Sequence, residues 1–161
     1  MDRRSLFAGF AAAVASGTAA TAAPSGNVAT AFAAAVSAHD IAAFAALFAE
    51  DYAQHQSSAA AKPPPPGVST KQATVGFFAA RLAALPDLRV VADPVVVAGD
   101  WVAANFVYAG THSGAAYFGV APSGRALSFN SCDILQTRDG LIVAHWGAGD
   151  IAGLLAQLHA G

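Results

Sequence analysis

Apolar residues recur along this chain with two different periods. From Val28 to Ala38 they fill one helical stretch, His39-Asp40 interrupts it, and a second helical run follows from Ile41 to Phe48. Asp40 stands where an N-cap belongs, its carboxylate placed to accept from the amides of the next turn. Glu50-Asp51-Tyr52 reads as a polar turn that ends the second helix, with His55 on the loop beyond. From Ser57 to Gly67 the chain is small and polar and carries consecutive prolines, Pro63 to Pro66. These favour extended polyproline geometry and mark a loop or lid. Ser69 or Thr70 can cap a third helix that carries Phe77, Phe78, Leu82 and Leu85 and stops at Pro86.

After Pro86 the period changes. Leu88 to Val97 is rich in β-branched residues and broken by Asp93-Pro94, Gly99-Asp100 makes a turn, and Trp101 to Tyr108 forms the return strand. Leu127 to Gln136 alternates, Arg138-Asp139-Gly140 is a tight turn, and Leu141 to Trp146 comes back as the next strand. A last helix spans Ile151 to Leu158. Helices first and hairpin-linked strands afterwards predict an α+β domain, with about four long antiparallel strands bent under the helices around a cavity.

Composition changes this picture at the amino terminus. The 161 residues are 55% hydrophobic and only 11% charged, against a usual charged share of ~25%. Much of the apolar excess is alanine, and the mean hydropathy is +0.47. Residues 1–22 account for part of it, in the layout of an export signal: a short basic start, an apolar stretch from Leu6 to Ala15, then small residues. Asp2-Arg3-Arg4-Ser5-Leu6-Phe7 resembles the twin-arginine motif, and Ala20-Thr21-Ala22 offers a cleavage site. The expected mature domain is residues 23–161, exported to the periplasm or secreted. Beyond the signal no apolar run approaches the ~20 residues of a spanning helix, so no stable membrane insertion is expected after cleavage. The net charge of −2 provides no basic stripe for nucleic acid. Cys132 is the single cysteine; it excludes an intrachain disulfide and reads as a small buried hydrophobe on its strand.

So few ionisable groups leave few candidates for chemistry. The chain has no G-x-S-x-G, no P-loop and no H-E-x-x-H, and no histidine pair with the short spacing of a zinc site. By period two, Leu127, Phe129, Ser131, Asp133 and Leu135 share one strand face, so Asp133 lies among apolar neighbours and must find a partner. On the next strand Leu141, Val143, His145 and Gly147 share a face. A turn centred between Asp139 and Gly140 places position 133 opposite 146, with His145 nearby and its facing open by one residue. Asp133 can then act as general acid or base beside a histidine that donates or relays a proton, or the Asp and His can be structural groups that satisfy each other or nearby backbone. His112, in Gly110-Thr111-His112-Ser113-Gly114, sits at a strand end.

The order AHDIAAFAALFAEDYAQH, ALPDLRV, AGDWVAANFVYAGTHSG, APSGRALSFNSCDILQTRDGLIVAHW and DIAGLLAQL resembles the SnoaL-like polyketide cyclase and ester cyclase family. The resemblance implies a nuclear transport factor 2-like cone of helices on a strongly curved antiparallel sheet, commonly dimeric. It also implies acid/base chemistry on a hydrophobic carbonyl compound, without metal or cofactor. His55, His112, Asp133 and His145 would line the cone, with Tyr117, Phe129 and Trp146 among the pocket residues. In the characterised cyclases an aspartate just after the last strand is the acid/base in an aldol closure. That position is Gly147 here, and the Glu of the family's E-H-W is Ala144. Asp133 is then the natural substitute, with His145 or His112 polarising the oxygen; Asp150 is second choice, with a competing role as N-cap of the final helix. The alternatives are a binding module that holds a hydrophobic ligand without converting it, and an interaction protein that uses the sheet's outer face.

Overall fold

A computed structural model describes residues 27–56 and 63–160; the expected export signal lies outside the described residues. The order of elements is α1 (Val28–Ser37), α2 (Ile41–Ala46), β1 (Phe48–Gln54), α3 (Thr70–Ala84), β2 (Arg89–Ala98), β3 (Trp101–His112), β4 (Arg125–Arg138), β5 (Leu141–Gly149) and α4 (Ile151–His159). Each helix starts on a side chain that takes a free amide: Asn27, Asp40, Ser69 and Asp150 accept from Thr30, Ala43, Gln72 and Gly153 respectively. Ser69 and Gln72 complete a reciprocal capping box, which satisfies two otherwise orphaned donors. Among the described residues no helix is long and apolar enough to cross a membrane.

The sheet has five strands in the order β1-β5-β4-β3-β2, and it is mixed, because β1 runs parallel to β5. The α+β class is as expected; the fifth strand, β1, and its parallel pairing correct the expectation of about four antiparallel strands and shorten the second helix. Residues 48–54 form a strand beside β5, with the large side chains of Phe48 and Tyr52 buried, at 2% and 3% exposure. Glu50 and Asp51, read as a turn, instead point outward to Lys71 and Arg138.

Asp139 and Gly140 both have positive φ, 53° and 78°, as the tight hairpin joining β4 to β5 requires. The pairing then slips. Thr137 opposes Ile142, but Gln136 opposes Ala144, so Val143 is an extra residue on β5. A bulge of this kind moves every later side chain by one position. Asp133 therefore faces Gly147, not Trp146, and the face shared by His145 and Gly147 is not the one shared by Leu141 and Val143.

The inner sheet face meets α1 and α3 through aromatic contacts. Phe32 packs edge-on against Phe44 at 5.0 Å and Phe78 at 5.2 Å, and lies 4.8 Å from Phe106. Beyond the end of β5, α4 covers the exposed margin of β4: the Gln157 amide accepts from Ser128 N at 2.8 Å and donates to its carbonyl at 2.7 Å. That occupies backbone groups an edge would otherwise present. On the outer face Cys132 is exposed, which corrects the expectation of a buried thiol: it has the parity opposite to Asp133.

Candidate active site

A cavity of about 730 Å³ opens between α3 and the inner face of the sheet. From α3 it receives one helical stripe, Thr70, Ala73, Thr74, Phe77, Phe78 and Arg81, spaced by three and four residues as one face of a helix must be. From the sheet come Tyr108, Phe129, Ser131, Asp133 and His145, while Pro63, Pro64 and Pro65 border it from the loop before α3.

Asp133 is 5% exposed and His145 8%. His145 Nε2 lies 3.2 Å from Asp133 Oδ1, although neither atom completes a well-aligned hydrogen bond to a described residue. Ser131 Oγ donates to the other carboxylate oxygen, Oδ2, at 2.7 Å. On the far side of the ring His145 Nδ1 lies 3.3 Å from the Tyr52 hydroxyl. An ionised Asp133 selects the imidazole tautomer with its proton on Nε2, because a lone pair there would face negative oxygen. Nδ1 then accepts from Tyr52. Burial pushes the Tyr52 phenol well above its ordinary pKa, and the nearby Asp133 charge adds to the effect, so the hydroxyl keeps the proton it donates.

Gly147 makes this arrangement possible. A Cβ at this position would overlap Asp133 Oδ1 outright and stand 3.0 Å from its Cγ and 3.1 Å from His145 Nε2. The carboxylate of Asp133 thus fills the space that any side chain on position 147 would occupy.

The second polar feature is Arg81, 6% exposed. Its guanidinium carbon lies 4.7 Å from the Phe77 ring centroid, 4.8 Å from those of Phe78 and Tyr108, and 5.2 Å from that of Phe129. Nε donates to the Tyr117 hydroxyl at 2.8 Å. Tyr108 and Phe129 are stacked in parallel at 5.0 Å, and burial pushes the Tyr108 phenol up to about 12.

Of the residues singled out in the sequence, Asp133, His145 and Phe129 converge on the cavity. The others are placed elsewhere, each for a visible reason. His112 is fully buried beyond the cavity, with Nε2 3.1 Å from the Ala115 carbonyl; contacts run from its ring to Tyr117 and from Tyr117 to Arg81. Tyr117 therefore stands behind the lining and holds Arg81. His55 and Trp146 stack on each other at 4.6 Å, and Trp101 lies 5.4 Å from Trp146; this group belongs to the outer face, where the bulge at Val143 sends Trp146. Asp150 is engaged as the cap of α4. Tyr52, Arg81, Tyr108 and Ser131 were not anticipated. A cation at helical spacing from Phe77 and Phe78 was the available signal for Arg81; Tyr52 had none once its strand was read as a turn.

A family model described as SnoaL-like polyketide cyclase matches residues 26–158. No curated protein matches the sequence at a significant level. Among solved structures, the chain resembles IdmH, described as a candidate polyketide cyclase, from Streptomyces antibioticus. That match has 32% identity and a TM-score of 0.67, and covers 80% of this chain and 93% of that one. TsrD from Streptomyces laurentii matches at 27% identity and TM-score 0.66, covering 81% and 90%. AclR from Streptomyces galilaeus, described as a candidate hydroxylase, shares the fold at 23% identity and TM-score 0.67, covering 80% and 76%.

The steric exchange between positions 133 and 147 is testable by a double-mutant cycle. Gly147→Ala is expected to cost about 1–3 kcal/mol of unfolding free energy in urea, as overpacking does, and less than about 0.5 kcal/mol in an Asp133→Ala background. Equal costs in both backgrounds would show that the two positions do not compete for space.

Proposed function

The chain belongs to the SnoaL-like polyketide cyclase family, and on that basis we propose that it catalyses cofactor-independent acid/base chemistry on a hydrophobic carbonyl compound, with Asp133 as the base. The observation that carries this reading is the Asp133 carboxylate held against His145 at 3.2 Å on the wall of a largely apolar cavity. Asp133 takes a proton from the carbon next to a carbonyl, and the electron pair of the broken C–H bond moves to the carbonyl oxygen. Once Asp133 is neutral, His145 Nε2–H is free to donate to that enolate oxygen. In an intramolecular aldol closure the enolate carbon then bonds to a second carbonyl carbon of the same molecule. The new alkoxide recovers the proton from Asp133, so no oxidant, reductant or cofactor enters the balance. Ser131 orients the base, and Tyr52 fixes the imidazole.

The same cavity also suits a carrier that binds without converting, and activity separates the two. Purified protein is incubated with a panel of apolar aromatic β-dicarbonyl compounds in deuterated water, following α-proton exchange by NMR and cyclised product by mass spectrometry. Asp133→Asn is expected to lower the rate by ~10²- to 10⁴-fold, the usual contribution of a general base. An unchanged rate removes Asp133 from the mechanism, and binding with no conversion by the native protein supports the carrier.

Two further proposals concern assembly and location. Val91, Val96, Trp101, Val107 and Ile134 are large apolar residues exposed on the outer face, between 39% and 61%, and we propose that this face pairs two copies of the chain. Light scattering should give twice the monomer mass and Ile134→Glu should halve it; a monomeric native protein contradicts the pairing. Export through residues 1–22 predicts a mature terminus near Ala23 that is lost when Arg3 and Arg4 both become Lys, and an intact Met1 on the mature protein would contradict it.

A further inference from the structure

Arg81 has no step in the chemistry at Asp133 and His145, yet four aromatic rings and the Tyr117 hydroxyl hold it in the cavity wall. A buried cation without an anion is costly to the resting protein. Here no carboxylate of a described residue lies within ion-pair distance of it. The available acids are engaged elsewhere: Glu50 with Lys71, Asp51 with Arg138, Asp133 with His145. What offsets the charge is the set of four aromatic rings within 5.2 Å and the neutral hydroxyls of Tyr117 and Tyr108. A guanidinium carries its donors in a flat fork. Nε is used by Tyr117 and the guanidinium also meets the Tyr108 hydroxyl; the terminal nitrogens make no well-formed hydrogen bond to a carbonyl or carboxylate of a described residue, and the side chain faces the cavity.

We propose that Arg81 is an anion anchor, and that the cavity's ligand carries a carboxylate on a flat apolar or aromatic framework. The carboxylate pairs with the free edge of the guanidinium, and the framework extends over the stacked Tyr108 and Phe129 rings toward Asp133 and His145. Three features favour a carboxylate over a phosphate. The fork matches two coplanar oxygens. The aromatic surroundings favour a thin planar group. Arg81 is also the one Lys or Arg among the described residues lining the cavity, so a doubly charged phosphate would be left half neutralised. Tyr117 is a positioning residue, since it holds Nε and so aims the fork. The direction of the framework rests on the catalytic reading of Asp133; the anion anchor itself does not.

The test compares two probes of nearly the same shape, 2-naphthoate and methyl 2-naphthoate, by calorimetric titration of the full chain at neutral pH. The acid should bind at least about tenfold more tightly than the ester to the native protein, as a charge-assisted pair buried from water allows. Arg81→Met should abolish or reverse that preference while keeping ester affinity within about threefold, and should unfold at the same temperature or higher. Arg81→Lys, which keeps the charge without the fork, should retain a reduced preference. Equal affinity for acid and ester in the native protein overturns the proposal without recourse to any variant. So does a preference that survives Arg81→Met, or failure of both probes to bind. A carboxylate preference with no turnover of any carbonyl compound would leave the anchor in place and discard the acid/base reading, so the two fail separately.

Discussion

The site depends on the register between β4 and β5. One extra residue, Val143, sets it. Before that bulge β5 buries Ile142; after it, His145 and Gly147 face inward opposite Leu135 and Asp133. Without the extra residue Trp146 would point into the cavity and His145 away from it, since side chains alternate strictly along a strand. The same slip pairs Gly147, an inner position on β5 without a side chain, with the inner position on β4 that carries a carboxylate. Both the polar contact and the room for it follow from one backbone irregularity.

Around that contact the protein divides its inner surface. Toward α1 and α2 the space is closed by Phe32, Phe44, Phe48 and Phe106, all at or below 3% exposure, and the alanines of α1 let the helix lie close on the sheet. Toward α3 the filling stops, and the helix contributes a stripe that lines a void. The void has a carboxylate–imidazole pair and a guanidinium, with an aromatic floor of Tyr108 and Phe129. Keeping them in separate partnerships, Asp133 with Ser131 and His145, Arg81 with Tyr117 and aromatic rings, leaves each group capacity to meet a ligand. A direct ion pair between them would have spent it.

Much of this was legible in the sequence because it follows from local rules. Asp40, Ser69 and Asp150 cap the helices they precede, Asp139-Gly140 turns the hairpin, and the alternation of Leu127, Phe129, Ser131, Asp133 and Leu135 puts Asp133 on the inner face. The family was legible from the order of its motifs. What escaped was set by tertiary contact. β1 is held by the burial of Phe48 and Tyr52 and by a parallel neighbour far along the chain, so its charged residues resembled a turn. Val143 has no residue type that announces a bulge, so the facing of His145 stays open by one residue in the sequence; the resemblance implies pocket places for His55 and Trp146, which stack on the outside. His112 has inward parity but lies past Tyr117, a depth that period alone does not report.

The proposed chemistry requires Asp133, His145 and Tyr52 to form one oriented hydrogen-bonded chain, in which Tyr52 fixes the imidazole. Nitrogen-15 NMR of the histidine rings in the native protein reads it directly. The structure predicts the His145 ring with its proton on Nε2, directed at Asp133, and Nδ1 accepting from Tyr52. The Asp133→Asn protein should lose that tautomeric preference. A His145 ring carrying its proton on Nδ1, or one unaffected by the loss of the Asp133 charge, would contradict it.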